Sequence, residues 1–206
     1  NLTMIAHFTD NTGDILYSTT TFFGYSGMWT GVRPNAFSIS ADERDQGDVV
    51  ANIRAIEDDW YPASWLIRDT LANVDEVKDY NDALDKLVNT KLMAPVYYII
   101  GGLKFPEGAV VTRNQTYSFN LWPLETSYLG WYDVETNYDW WVPPPARDDR
   151  RDPAIKNMNA MGQDNLTAMN LYNVLSQPPV LNDGTLYTTI MSASNASLYY
   201  TRVRVP

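Results

Sequence analysis

The feature that most limits the fold is the order of the local signals along the chain. A strand-rich block is followed by a helical block, a second strand-rich block, a second helical block and a closing pair of strands. Thr3–Phe8 and Asp14–Phe23 are rich in β-branched and aromatic residues and flank Thr9-Asp10-Asn11-Thr12-Gly13, a turn composition, so they read as a hairpin. Gly24, Gly27 and Gly31 make the next stretch a tight loop, and Ala36–Ser40 reads as a short strand. Asp48 caps a helix carrying Val49, Ile53 and Ile56, and Ser64 caps a second one through Trp65, Leu66 and Leu71. Tyr80, Ala83, Leu84, Leu87 and Val88 fall at i, i+3, i+4, i+7 and i+8, one apolar stripe that defines a third helix.

Strand signals return at Val96–Gly101, Ala109–Thr112, Tyr117–Leu121 and Trp131–Thr136. Pro143, Pro144 and Pro145 form an extended connector, because proline has a fixed φ and no N–H. The spacing predicts a helix opening at Asp152-Pro153, with Asp152 as its cap, and closing at Gly162; another runs from about Thr167 to Leu175. Leu186–Met191 and Leu198–Val203 form a last hairpin. No repeat or low-complexity linker interrupts this order. It predicts one α+β domain over residues 1–206, with largely antiparallel sheets and helices on their outer faces.

Composition narrows the chemistry. Twenty-five acidic against fifteen basic residues give a net charge of −10, which argues against nucleic acid as a partner, since such binders need a basic face. There is no cysteine and a single histidine, His7, which reads as an ordinary strand residue. Thiolate metal sites, disulfides and a cysteine nucleophile are therefore excluded within these residues, and no metal or cofactor is expected. Gly24, Gly27 and Gly31 lack the lysine of a phosphate loop, and Asp10, Asn11 and Asp14 lack the later glutamate of a calcium loop. Aromatic residues abound, with seven Trp, fourteen Tyr and six Phe, readable as core or as an aromatic-lined ligand site. The longest strongly apolar run, Pro95 to Ile100, is far shorter than the ~20 residues of a membrane span, which predicts a soluble protein. Four N-x-[ST] sequons, at Asn1, Asn114, Asn165 and Asn195, fit a lysosomal or secreted glycoprotein.

Longer phrases carry a family likeness. The stretches TTTFFGYSGMWTG (19–31), SADERD (40–45), SWLIRDTL (64–71), LMAPVYYIIGG (92–102), VETNYDWW (134–141), DDRRDPAIK (148–156) and LYTTIMSA (186–193) occur in order over nearly the whole chain. Together they resemble the β-subunit of the acid ceramidase and N-acylethanolamine acid amidase family, with TFFGYSGMWTG and VETNYD closer to the second branch. The resemblance implies an N-terminal-nucleophile hydrolase fold, an αββα sandwich of two antiparallel sheets between helical layers. It also implies a lysosomal, self-cleaving lipid amidase in which an N-terminal cysteine attacks the amide of a fatty-acid conjugate and its own α-amine acts as base.

Residue by residue, the likeness implies that Glu43 in ADERD is the active-site glutamate, Asn137 in ETNYD the oxyanion-hole asparagine and Arg150 in DDRR an arginine beside the active site. Tyr25 and Trp29 are placed on the acyl-chain side of the substrate site, while Arg151 and its neighbouring aspartates read as structural. The implied partners are an α-subunit or N-terminal segment of the same precursor, a lipid amide substrate, a membrane surface and a second copy of the chain. The family's β-subunit opens with Cys-Thr-Ser and continues to a His-Gly-Arg-Asn-x-Asp motif, and neither is in this sequence, which starts at Asn1. The expectation is therefore a partial sequence whose nucleophile segment is supplied from outside it, its removal baring ladder groups and an apolar face. Beside it stand a non-catalytic glycoprotein of the same fold, acting as a structural or self-assembling subunit, and a lipid-binding module.

Overall fold

A computed structural model of the chain describes residues 2–204. Its first strands are β1 (Thr3–Thr9), β2 (Ile15–Phe22), β3 (Thr30–Arg33) and β4 (Phe37–Glu43). Helices α1 (Val49–Glu57), α2 (Ala63–Ala72) and α3 (Tyr80–Asn89) intervene before β5 (Val96–Gly101), β6 (Gly108–Arg113) and β7 (Ser118–Pro123). After a long irregular segment come α4 (Arg151–Met161), α5 (Ala168–Leu175), β8 (Tyr187–Met191) and β9 (Tyr199–Val203). β1 to β7 make one seven-stranded sheet in sequence order, antiparallel throughout, and β8–β9 make a separate two-stranded sheet.

Strand alternation divides the large sheet into two unlike faces. On the outer face Tyr17, Phe37, Ile39, Tyr98, Ile100 and Val111 pack against Leu66, Ile67 and Leu71 of α2 and Ala83 and Leu87 of α3, forming the main core. The Tyr80 stripe of α3 packs into this core as its spacing requires, and Asp79 caps the helix by accepting from Asn81 and Asp82 N–H. Close packing leaves no room for a side chain at Gly31, where an added Cβ would stand 2.6 Å from Leu71 Cδ1 and 3.1 Å from the Ser18 carbonyl oxygen.

Two buried arginines tie strands to helix ends. Arg33 of β3 donates through Nε and Nη2 to the Leu71 carbonyl and through Nη2 to the Thr70 carbonyl, at 2.9, 2.7 and 2.6 Å, and its Nη1 reaches the Val77 carbonyl. Arg113 of β6 donates to the Leu87 and Thr90 carbonyls at the end of α3. Each guanidinium satisfies carbonyls left without an intrahelical donor at the end of a helix, and Arg33 also reaches Val77 in the connection between α2 and α3.

The inner face is polar at one end and aromatic at the other. Thr20 Oγ1 lies 3.2, 2.8 and 2.6 Å from Thr189 Oγ1, Tyr199 Oη and Thr201 Oγ1, and Thr30 Oγ1 lies 3.0 Å from Tyr187 Oη. These hydroxyls join the small sheet to the inner face of β2 and β3. Across the sheet, Trp122, Tyr128 and Trp140 stack with ring centroids 4.9 to 5.8 Å apart, seating the 124–150 segment on β7. Helices α4 and α5 pack on each other, and α5 backs β8, so the layers run helix, sheet, sheet, helix.

The structure corrects several local expectations. Trp131–Thr136 forms no strand: Tyr132 is buried against α4, and its hydroxyl donates to Asn159 Oδ1 at 2.8 Å, so its strand-like residues record packing on a helix. Ser64 is not a cap but a buried residue in the first turn of α2, with Pro62 at the cap position. Helix α4 starts at Arg151, and Asp149 accepts from the Asp152 N–H at 3.1 Å in place of the expected Asp152 cap. Gly162 ends α4 as expected, at φ +73°. Gly31 belongs to β3 and not to the loop. Among the described residues no helix is long and apolar enough to cross a membrane.

Candidate active site

A cavity of about 660 Å³ opens between the two sheets. Its floor is the inner face of β3 and β4 with Thr30, Ser40 and Asp42; Tyr187 and Thr189 of β8 face them, and Glu135, Asp148 and Arg150 close one end. Ser38, Ser40 and Asp42 share this face because they alternate with Phe37, Ile39 and Ala41, which point into the helix-side core.

The segment carrying Glu135 and Asn137 is irregular, so side chains fix it. Arg44, at the end of β4, pairs with Asp139 at 2.9 and 3.0 Å and donates to Asn114 Oδ1 at 2.6 Å. The Tyr97 hydroxyl donates to Asp139 Oδ1 at 2.7 Å. From the start of α4, Arg151 donates to the carbonyls of Asp139, Trp140 and Val142 at 3.3, 3.0 and 2.6 Å, with its guanidinium 4.9 Å above the Tyr138 ring. Arg151 is thus a strap on the loop, as its structural reading anticipated.

Held this way, Asn137 stands beside Arg150, which lines the cavity. Its Nδ2 donates to the Glu43 carbonyl at 3.1 Å, and its Oδ1 accepts from Arg150 Nη2 at 2.6 Å. Arg150 is completed by Asp148, with Nε and Nη2 at 2.7 and 3.1 Å from its carboxylate oxygens. Glu43, Asn137 and Arg150, expected at the site from three separate motifs, therefore meet. Glu43 joins through its main chain, because strand alternation leaves its carboxyl exposed and turns Asp42 inward.

Tyr25 and Trp29 lie elsewhere. The Tyr25 hydroxyl donates to Ser64 at 2.7 Å and Trp29 packs against the helix-side core, so neither lines the inter-sheet cavity. Of the sequons, Asn165 and Asn195 are exposed, Asn114 is half-buried with its Oδ1 held by Arg44, and Asn1 lies outside the described residues. His7 Nδ1 and Ser18 Oγ lie 2.8 Å apart as a directly registered cross-strand pair.

Two carboxyls that lie within the SADERD and VETNYDWW stretches, but to which no role was assigned, dominate the electrostatics. Burial pushes Asp42 up to about 7, with Arg150 opposing. Glu135 is pushed up to about 8, first by burial and then by Asp42 and Asp139, against its hydrogen bond from the Thr136 N–H and the Arg151 charge. Glu135 Oε1 accepts that bond at 2.8 Å, while Oε2 is buried without a partner. Asp42 was findable by counting alternate residues from Ser38; Glu135, in an irregular segment, carries no such signal. Chemically, an asparagine amide beside a guanidinium, on a cleft partly shut from water, is equipped to stabilise developing negative charge on an oxygen.

The layered fold and this cluster define the class: an αββα sandwich of the N-terminal-nucleophile hydrolase type, with its polar site between the sheets. Comparison with known proteins narrows the class further. No family model matches the chain. It is 48% identical over 206 residues to the N-acylethanolamine-hydrolyzing acid amidase of Rattus norvegicus, spanning 100% of the chain and 56% of that protein. Against acid ceramidase of Mus musculus it is 38% identical over 185 residues, 87% of the chain and 46% of the relative. A solved structure of a Caenorhabditis elegans N-acylethanolamine-hydrolyzing acid amidase ortholog superposes with TM-score 0.84 at 34% identity, covering 98% of this chain and 87% of that one. The chain belongs to the N-acylethanolamine-hydrolyzing acid amidase and acid ceramidase family, on the acid amidase side of it. It spans about half the length of the curated relatives it matches.

Proposed function

We propose that these 206 residues are a single domain forming most of the β-subunit of a lipid amidase. It hydrolyses N-acylethanolamines, or ceramide, to a fatty acid and an amine. The nucleophile is an N-terminal cysteine from a segment outside this sequence, exposed by self-cleavage of a common precursor, and the α-subunit of that precursor is the obligatory partner. The observation that carries the proposal is the meeting of Glu43, Asn137 and Arg150, the last of which lines the inter-sheet cavity. In this reading Asn137 Nδ2 and the Arg150 guanidinium face the carbonyl oxygen of the scissile amide and strengthen their hold as it becomes an oxyanion.

The sequons and the relatives' names support a lysosomal or secreted glycoprotein working in acid. Contact with a membrane surface is supported by α1, whose Val49, Val50, Ile53 and Ile56 are all exposed, Val49 by 73%. Tyr25 and Trp29 remain proposed acyl-chain contacts, now on the opposite side of the sheet from the cavity.

The test is turnover of a fluorogenic fatty-acyl amide by the native protein, with and without a thiol reagent, alongside N-terminal sequencing of its subunits. Turnover abolished by the reagent, from a protein containing a Cys-initiated segment, supports the proposal. Absence of both the segment and the turnover overturns it in favour of a non-catalytic subunit of the same fold.

A further inference from the structure

The turn between β6 and β7 carries one of the four sequons, Asn114-Gln115-Thr116, and hydrogen bonds fix it in place. The Asn114 N–H donates to the Tyr117 carbonyl at 3.0 Å, and the Leu92 N–H donates to the Gln115 carbonyl at 2.7 Å. Gln115 Nε2 donates to Asn52 Oδ1 of α1 and to the Met93 carbonyl, at 3.2 and 2.8 Å. The Asn114 side chain is therefore held in one orientation. Its Oδ1 accepts from Arg44 Nη1 at 2.6 Å, which turns Nδ2 away from the guanidinium. Among the described residues Nδ2 has no hydrogen-bond partner, and it is not closed off from solvent.

Asn114 lines a cavity of about 580 Å³ between this turn and the connection from β4 to α1. The cavity walls are rich in unused acceptors. The Asp45 carboxylate and the Gln46 amide have no partner among the described residues. Asp48 accepts from the Val50 N–H with Oδ1 at 2.9 Å, leaving Oδ2, and Gln115 leaves its Oε1. Tyr117, 53% exposed, adds an aromatic ring to the same wall. Two carboxylates repel an anion, whereas the hydroxyls of a neutral polyol donate to such oxygens. The apolar face of a sugar ring packs on an aromatic one.

We propose that Asn114 carries an N-linked glycan whose first N-acetylglucosamine is seated in this cavity, against Asp45, Asp48 and Tyr117. Attachment joins Nδ2 to C1 of the sugar. One Nδ2–H bond breaks, as does the bond from C1 to the pyrophosphate oxygen of a lipid-linked oligosaccharide donor, and the proton leaves with the released pyrophosphate. Oδ1 takes no part, so its bond from Arg44 persists. Turning the modified amide over would drive the sugar into Arg44. The glycan thus keeps Oδ1 on the arginine that also grips Asp139.

The inference rests on the secreted or lysosomal reading, which brings the chain to a glycosylating compartment. The experiment therefore reads the exposed sequons Asn165 and Asn195 beside Asn114. Site occupancy is measured by glycopeptide mass spectrometry on the native protein and on the full-length precursor expressed in eukaryotic cells. Asn114 is expected to be occupied, and Thr116→Ala to remove that glycan while leaving Asn114 and its Arg44 bond. From the folded protein, a peptide N-glycosidase is expected to release the Asn114 glycan about tenfold more slowly than those at Asn165 and Asn195, because the seat must open first. Denaturation, or Tyr117→Ala, is expected to abolish the difference.

A glycan at Asn165 or Asn195 beside a bare Asn114 overturns the proposal and leaves the secretory reading standing. Three bare sequons overturn both. Release from Asn114 as fast as from the exposed sites, or just as slow in Tyr117→Ala, overturns the seat in the cavity.

Discussion

Arg44 and Asp139, 95 residues apart in sequence, meet in a two-point ion pair, Nε and Nη2 lying 2.9 and 3.0 Å from the two carboxylate oxygens. The pair is nearly closed off, with side-chain exposures of 5% and 13%. It fastens the irregular segment to the end of β4, and Asn137 sits two residues from Asp139. Removing one partner leaves the other charge buried and alone, a loss of about 3–5 kcal/mol. Asp139→Asn and Arg44→Met are therefore expected to lower urea-unfolding stability by about that amount and to weaken the hold on Asn137. The double variant Arg44→Met/Asp139→Leu is expected to lose less than the sum of the singles, which a double-mutant cycle measures.

The same pair sets an acid limit. Burial alone would raise Asp139, but the hydrogen bonds from Arg44 and Tyr97 and the Arg44 charge outweigh it and hold the carboxyl below its ordinary value. A depressed carboxyl contributes stability that is complete above its unfolded value, near ~4, and is lost as pH falls through the folded value. Urea midpoints of the wild type are expected to decline below about pH 4, while Asp139→Asn starts lower and declines less over the same range. In mildly acid solution this strap stays ionised.

Arg33 gives a test of the fold away from the site. Burial lowers its guanidinium to about 10, so it remains charged, and helix-end carbonyls, not a carboxylate, receive its protons. Arg33→Met strands those carbonyls, for an expected loss of about 3 kcal/mol in chemical denaturation. Arg33→Lys is expected to recover little, because one ammonium lacks the planar fork that reaches Leu71, Thr70 and Val77 together.

Asn137→Ala tests the oxyanion role directly. A lost donor of this kind lowers kcat by about a hundredfold to a thousandfold. KM of the native protein toward a fatty-acyl amide is expected to change little, since the bond tightens only in the transition state. An equal effect on kcat and KM, or a variant as active as wild type, argues against the role.

Much of the scaffold was legible in the sequence because period and caps are local. The Tyr80 stripe, the Asp48 helix start, the β5 and β6 strands and the closing hairpin all follow from spacing. Trp131–Thr136 was not, because the same β-branched and aromatic composition serves a ladder or a helix-facing loop, and only the neighbouring α4 decides. Ser64 has the composition of a cap, yet Tyr25, distant in sequence, takes its hydroxyl. At the site, motifs pointed to Glu43, while the strand's own alternation turned the neighbouring Asp42 into the cavity. Glu135 depended on contacts between β4, the irregular segment and α4, none of which is local.

The hydroxyl contacts between the sheets bear on accuracy more than on adhesion. A greasy seam tolerates a slide of a fraction of an ångström at little cost, because dispersion has no direction. Thr20, bonded at once to Thr189, Tyr199 and Thr201, and Thr30, bonded to Tyr187, tolerate much less, since a hydrogen bond weakens steeply when bent or stretched. Tyr187 and Thr189 also line the cavity, so its far wall is indexed to its floor by the same atoms that join the layers. A small sheet of two strands thereby acts as a gauge block, setting the width of the cleft in which the chemistry is proposed to happen.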